Sequence, residues 1–162
     1  MQKFDQPRLE ERTAQPYIAI RGTVTMGNFA PVADRLPEVF GWLAGRGIPP
    51  AGAPFFRYLV VDMEHGLQIE AGVPVSAPTE PDGELIAGEL PAGTYATVDH
   101  RGRPDTLIDA TRHLFDWGTA RGLTWDNDGD RWGCRLEIYQ TDPKVQPDLN
   151  QWETTLAVRT RE

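Results

Sequence analysis

One nine-residue stretch of this chain is written twice. Phe40-Gly41-Trp42-Leu43-Ala44-Gly45-Arg46-Gly47-Ile48 and Phe115-Asp116-Trp117-Gly118-Thr119-Ala120-Arg121-Gly122-Leu123 carry Phe, Trp, Arg and Gly at matching offsets, and each ends on an aliphatic residue. Self-similarity of this kind marks a duplicated supersecondary unit. Each block reads as the end of an amphipathic helix. Val32, Leu36, Val39, Phe40 and Leu43 recur at intervals of three and four in the first copy, and Leu107, Ile108, Leu114, Phe115 and Trp117 form a comparable stripe in the second. Gly47 and Gly122 stand where a left-handed residue would close each helix, with Arg46 and Arg121 at the negative dipole end.

The flanks repeat as well. Strand-like runs precede the helices at residues 17–22 and 94–99, and two more follow each helix, at 55–62 and 67–75 and then at 134–141 and 154–160. A Glu64-His65-Gly66 turn separates the first of these pairs. Each half is therefore β-α-β-β, over about residues 15–76 and 84–161. The Pro-rich connector Ala77 to Gly83 is too short to separate independent domains, so residues 1–162 are expected to form one domain. The fold class is α+β, with duplicated units in one antiparallel sheet, two helices on one face and a groove on the other.

Charge narrows the partners. With 24 acidic residues against 16 Lys and Arg the net charge is -8, which argues against a nucleic-acid surface or an anionic membrane. The single cysteine, Cys134, has no disulfide partner and no metal-ligand spacing around it. The N-terminal run lacks an apolar stretch, so neither a signal peptide nor a membrane span is expected, and a bacterial-type cytoplasmic protein is the plain reading. Asp126-Asn127-Asp128-Gly129-Asp130 resembles a calcium loop but has Arg131 where the loop requires Gly, so no metal is assigned. No phosphate loop and no other cofactor signature is present either. The three histidines, His65, His100 and His113, share no spacing and read as surface residues.

Alternation sorts the last strands. Leu136 and Ile138 share one face, with Arg135, Glu137 and Tyr139 on the other; Thr154, Leu156 and Val158 likewise oppose Glu153, Thr155, Ala157 and Arg159. If the aliphatic faces lie under the helices, Glu137, Tyr139 and Glu153 project to the helix-free side. They there form either a solvated face or the floor of a cleft between the two units.

Three segments carry a family resemblance: Leu90-Pro91-Ala92-Gly93-Thr94-Tyr95-Ala96, His100-Arg101-Gly102, and Arg135-Leu136-Glu137-Ile138-Tyr139 leading to Thr141-Asp142-Pro143. Their order, over about residues 7–160, resembles the GyrI-like family, which includes the effector-binding domains of MerR-type and AraC-type multidrug regulators. The resemblance implies a pseudosymmetric groove for flat, lipophilic, often cationic compounds, with a carboxylate matching Glu137 at its floor. Glu153 then looks like a second acid, Tyr139 and Tyr58 like groove phenols and Trp132 like a wall. One departure stands out: Gly102-Arg103-Pro104 replaces the family's Gly-Pro-Tyr turn, removing an aromatic from the groove edge.

An ion pair at about 4 Å gains on the order of 4 kcal/mol at an effective dielectric near 20, and desolvation offsets most of it. The acid would thus select for charge while ring contacts supply affinity. Arg135, two residues before Glu137, is the competing partner that would make the acid structural. The resemblance also admits a hydrolase of strained, cyclopropane-bearing natural products, with Glu137 as general base and Tyr139 or Tyr58 as proton donor. A protein-inhibitor or regulatory role is a further alternative. The short stretch ahead of Tyr17 leaves no room for a DNA-reading helix-turn-helix, so a stand-alone binder of a small organic ligand is the expectation.

Overall fold

A computed structural model describes residues 6–25, 27–142 and 145–161; Pro143 of the family-like run lies outside them. In chain order the elements are β1 (Arg8–Arg12), β2 (Gln15–Val24), α1 (Ala30–Ala33), α2 (Leu36–Gly45), β3 (Phe55–Asp62), β4 (Gly66–Pro74), β5 (Ile86–Leu90), β6 (Gly93–Arg101), α3 (Leu107–Ala120), β7 (Asn127–Asp128), β8 (Arg131–Trp132), β9 (Arg135–Tyr139) and β10 (Glu153–Arg159). The fold is α+β. Antiparallel pairing orders the main strands β1-β6-β10-β9-β3-β4-β2-β5, and the short β7–β8 pair attaches to β3.

This order mirrors itself about the β9–β3 join. Outward from that join run β10, β6 and β1 on one side and β4, β2 and β5 on the other. The edges are exchanged: β1 precedes β2 in the chain yet pairs with β6, and β5 precedes β6 yet pairs with β2. The join itself is short, with Phe55 opposite Ile138, Phe56 opposite Glu137 and Arg57 opposite Leu136.

Both repeated blocks end as expected. Gly47 (φ 69°) and Gly122 (φ 78°) are left-handed, and the Ile48 and Leu123 amides reach back to the Leu43 and Gly118 carbonyls at 2.9 and 3.0 Å. Arg46 lies 4.8 Å from the Trp42 ring centre and Arg121 lies 4.6 Å from that of Trp117, so the matched Trp and Arg serve one stacking contact in each copy. The first helix differs from its periodicity. A break at Asp34–Arg35 divides it, and α2 restarts with Pro37 in its first turn, where a missing N–H costs nothing.

All the helices pack on one face, α1 and α2 over β2 and β4, α3 over β6. Ile18, Ile20, Ile69, Val73, Val39 and Leu43 fill the core under the first pair, and Val98, Leu156, Ala110 and Leu114 fill the core under α3. The opposite face has an apolar core of its own, including Tyr17, Phe55, Tyr95, Cys134 and Leu136. Among the described residues no helix is long and apolar enough to cross a membrane.

That second core corrects the expected placement of Glu137 and Tyr139. Leu136 and Ile138 pack into the helix-free core, so Arg135, Glu137 and Tyr139 stand on the helix-bearing face. The helices lie chiefly over β2, β4 and β6, and the polar residues of β9 occupy the gap between them while its aliphatic ones join the helix-free core. In β10 the expected alternation holds: Leu156 and Val158 pack in the core under α3, and Glu153 lies on the other face. Glu153 is thus separated from Glu137 by the sheet and instead binds Arg101 at 2.7 Å.

Candidate functional site

Over the β3–β9 join, strand register brings together side chains distant in sequence. Phe56 and Tyr58 from β3 share the helix-bearing face with Arg135, Glu137 and Tyr139 from β9. The Tyr139 hydroxyl donates to Glu137 Oε1 at 2.6 Å, and the Tyr139 ring meets Phe56 edge-on at 5.2 Å. On one flank Phe29, just ahead of α1, lies 5.8 Å from the Phe56 ring and 6.0 Å from that of Tyr58. On the other flank α3 contributes Phe115, which meets Trp125 at 4.9 Å and Trp132 at 5.5 Å. The result is a carboxylate set among aromatic rings, with the α1–α2 unit on one side and α3 on the other.

Arg135 is the other charge in this cleft. Its guanidinium carbon lies 4.9 Å from the ring centre of Trp132, 5.1 Å from that of Phe115 and 5.4 Å from that of Tyr58. A desolvated contact of this type contributes about 2 kcal/mol and an exposed one about 0.5–1 kcal/mol. Burial lowers the guanidinium from its ordinary value, against the opposing pull of Tyr58 and Glu137. Burial is also the first cause that holds the Tyr58 and Tyr139 phenols well above the usual tyrosine range, with Glu137 the second. Both hydroxyls therefore stay protonated as donors at neutral pH. The chemistry available is charge selection, stacking and hydrogen-bond donation.

The five residues singled out by sequence are thus distributed unevenly. Glu137, Tyr139 and Tyr58 meet at the cleft, Trp132 reaches it through Arg135, and Glu153 lies on the far face. Phe29, Phe56 and Phe115 were not anticipated as walls; only β3–β9 pairing and helix docking reveal them. His100, expected at the surface, is buried on the helix-bearing face. Its Nε2 lies 2.6 Å from Thr106 Oγ1, and that hydroxyl also stands 2.9 Å from the Arg103 carbonyl.

The helix-free face offers different chemistry. A hollow of about 420 Å³ lies there, lined by Arg12, Gln15, Phe55, Tyr95, Ile138 and Gln140 among others. Beside it Glu70, buried from solvent, accepts from the Tyr17 hydroxyl and from Arg21, whose Nη2 stands at 2.6 Å; Arg57 Nη1 donates to Tyr17 at 2.9 Å. Burial pushes the Tyr17 phenol upward, and Glu70 adds to the rise. These bonds occupy both Glu70 oxygens and knit β2, β3 and β4.

Known proteins share this architecture. EcmrR is similar twice over: its DNA-bound complex superposes with a TM-score of 0.82 at 19% identity over 99% of this chain, which spans 58% of that one. Its isolated C-terminal domain gives 0.77 at 21% identity, covering 97% and 98% of the two chains. SAV2435, solved with bound tetraphenylphosphonium, gives 0.61 at 11% identity over 97% and 94%. A hydrolase from Listeria innocua gives 0.68 at 11% identity over 99% and 93%. At these identities the likeness is one of fold. No curated protein matches the sequence. The profile of the GyrI-like small molecule binding domain, however, matches residues 5–160, nearly the whole chain. The mirrored sheet and its duplicated helix endings are accordingly those of a family member, and the chain belongs to the GyrI-like small-molecule-binding domains.

Proposed function

We propose that this protein binds lipophilic, cationic or electrophilic organic compounds in the aromatic cleft over the β3–β9 join, with Glu137 as its floor. The observation that carries the reading is the Glu137 carboxylate, held by Tyr139 at 2.6 Å amid rings supplied from both halves of the sheet. The Tyr139 hydroxyl, with Tyr58 as a second phenol bonded to the same carboxylate, orients Glu137 toward a positive or electron-poor centre. The ligand-bound state of SAV2435 supports the same class of occupant. Ring contacts supply most of the affinity, which falls in the micromolar range, on the order of −8 kcal/mol.

Titration with tetraphenylphosphonium tests this. Glu137→Gln is expected to weaken binding of the cation about tenfold, the equivalent of 1.4 kcal/mol, and to leave uptake of a neutral lipophilic dye nearly unchanged. Unchanged cation affinity removes Glu137 from the site. Turnover of a cyclopropane-bearing electrophile that is abolished by the same substitution moves the protein from receptor to hydrolase.

A further inference from the structure

The cleft of this protein already contains a cation. Arg135 occupies the space among Tyr58, Phe115 and Trp132, at 4.9 to 5.4 Å from the ring centres, which is where a ligand's positive centre would be best stabilised. Among the described residues no carboxylate lies within 4.0 Å of it, and three rings surround it. It shares one strand face with Glu137 and tempers that charge across the cleft. A guanidinium is planar, weakly hydrated and permanently charged, and so it suits stacking better than an ammonium would.

We propose that Arg135 is the specificity-determining residue of the cleft, a resident cation that weakens the hold of the Glu137 site on permanent cations relative to neutral, electron-poor lipophilic ligands of the same size. The inference rests on the ligand-binding reading above and deepens it. A positively charged ligand must displace the guanidinium from three rings and then sit near it, two like charges in a poorly hydrated space. A neutral ligand meets no such opposition. It stacks on Phe56 and Tyr139 and gains a donor where it carries an acceptor oxygen.

The test compares tetraphenylphosphonium with triphenylphosphine oxide, a neutral relative with an acceptor oxygen, by calorimetric titration of the wild-type chain, Arg135→Ala and Arg135→Met. The methionine variant keeps an apolar stem among the rings, and circular dichroism checks the fold of each. The wild type is expected to favour the oxide. Both variants are expected to tighten on the cation by roughly tenfold or more and to gain nothing on the oxide, reversing the preference. Binding of both probes with an unreversed ratio in a folded variant overturns the role of Arg135 and leaves the ligand-binding reading standing. Binding of neither probe to any folded protein overturns both.

Discussion

Glu137 and Glu70 show how one residue type serves two ends. Glu70, 1% exposed, has its oxygens taken by Tyr17 and Arg21, so nothing remains for a ligand. Glu137 is held only by the phenols of Tyr139 and Tyr58 and has no ion-pair partner within 4.0 Å among the described residues. Tyr17→Phe should therefore cost about 1–3 kcal/mol of folding stability by leaving a buried carboxylate short of a donor, measurable as a lower urea midpoint. Glu137→Gln should affect binding far more than folding. At this scale the sequence was informative about identity and less so about company. That Glu137 and Tyr139 share a face was legible from alternation and from the family-like run, and Tyr58 was named only as what the resemblance implies. The side of the sheet was not, because both faces of β9 end in packed surroundings and period-two alternation states only that two faces exist. The walls Phe29 and Phe115 and the cage around Arg135 depend on contacts between residues far apart in the chain, which no local pattern encodes.

Six of the strands and the helix endings were legible as elements, because β-branched runs and the Trp-to-Gly block obey local rules. The edge strands β1 and β5 were not. Arg8–Arg12 is almost wholly charged, and Ile86–Leu90 is five residues long, so neither has a pattern that separates it from a loop. Charged, short edges are what an open sheet needs to avoid pairing with other chains. Close approach of strands to rings sets a further limit here. A Cβ at Gly72 of β4 would stand 2.7 Å from the Phe55 ring and 3.2 Å from that of Tyr17, two buried rings in edge contact at 5.1 Å. Gly72→Ala is therefore expected to destabilise by about 1–3 kcal/mol through overpacking, despite alanine's better backbone entropy, and thermal unfolding would show it. An unchanged or higher Tm would mean the Phe55 ring yields freely.

For the molecule as a whole, the buried phenols dictate how stability responds to base. All four tyrosines, Tyr17, Tyr58, Tyr95 and Tyr139, are held above their ordinary range, in each case by burial first. Cys134 is pushed the same way, again by burial. A group whose proton is held more tightly in the folded chain contributes its full stability below its unfolded pKa and loses it above. The urea midpoint should thus be flat near neutrality, begin to fall above about 8.5, where the unfolded cysteine ionises, and fall more steeply once pH passes about 10, where unfolded tyrosines do. Phenolate absorbance should rise together with unfolding; tyrosinate formation in the intact protein near pH 10 would contradict the burial.

The eight-stranded path narrows at its centre. Eight residue pairs hold β2 to β4, whereas three hold β3 to β9. Like an open book, the molecule has its thinnest binding at the spine, and the cleft lies along that spine with one page rising on each side. An occupant of the proposed cleft would act as a splint across the two pages, its grip felt as a change in how far the covers can open.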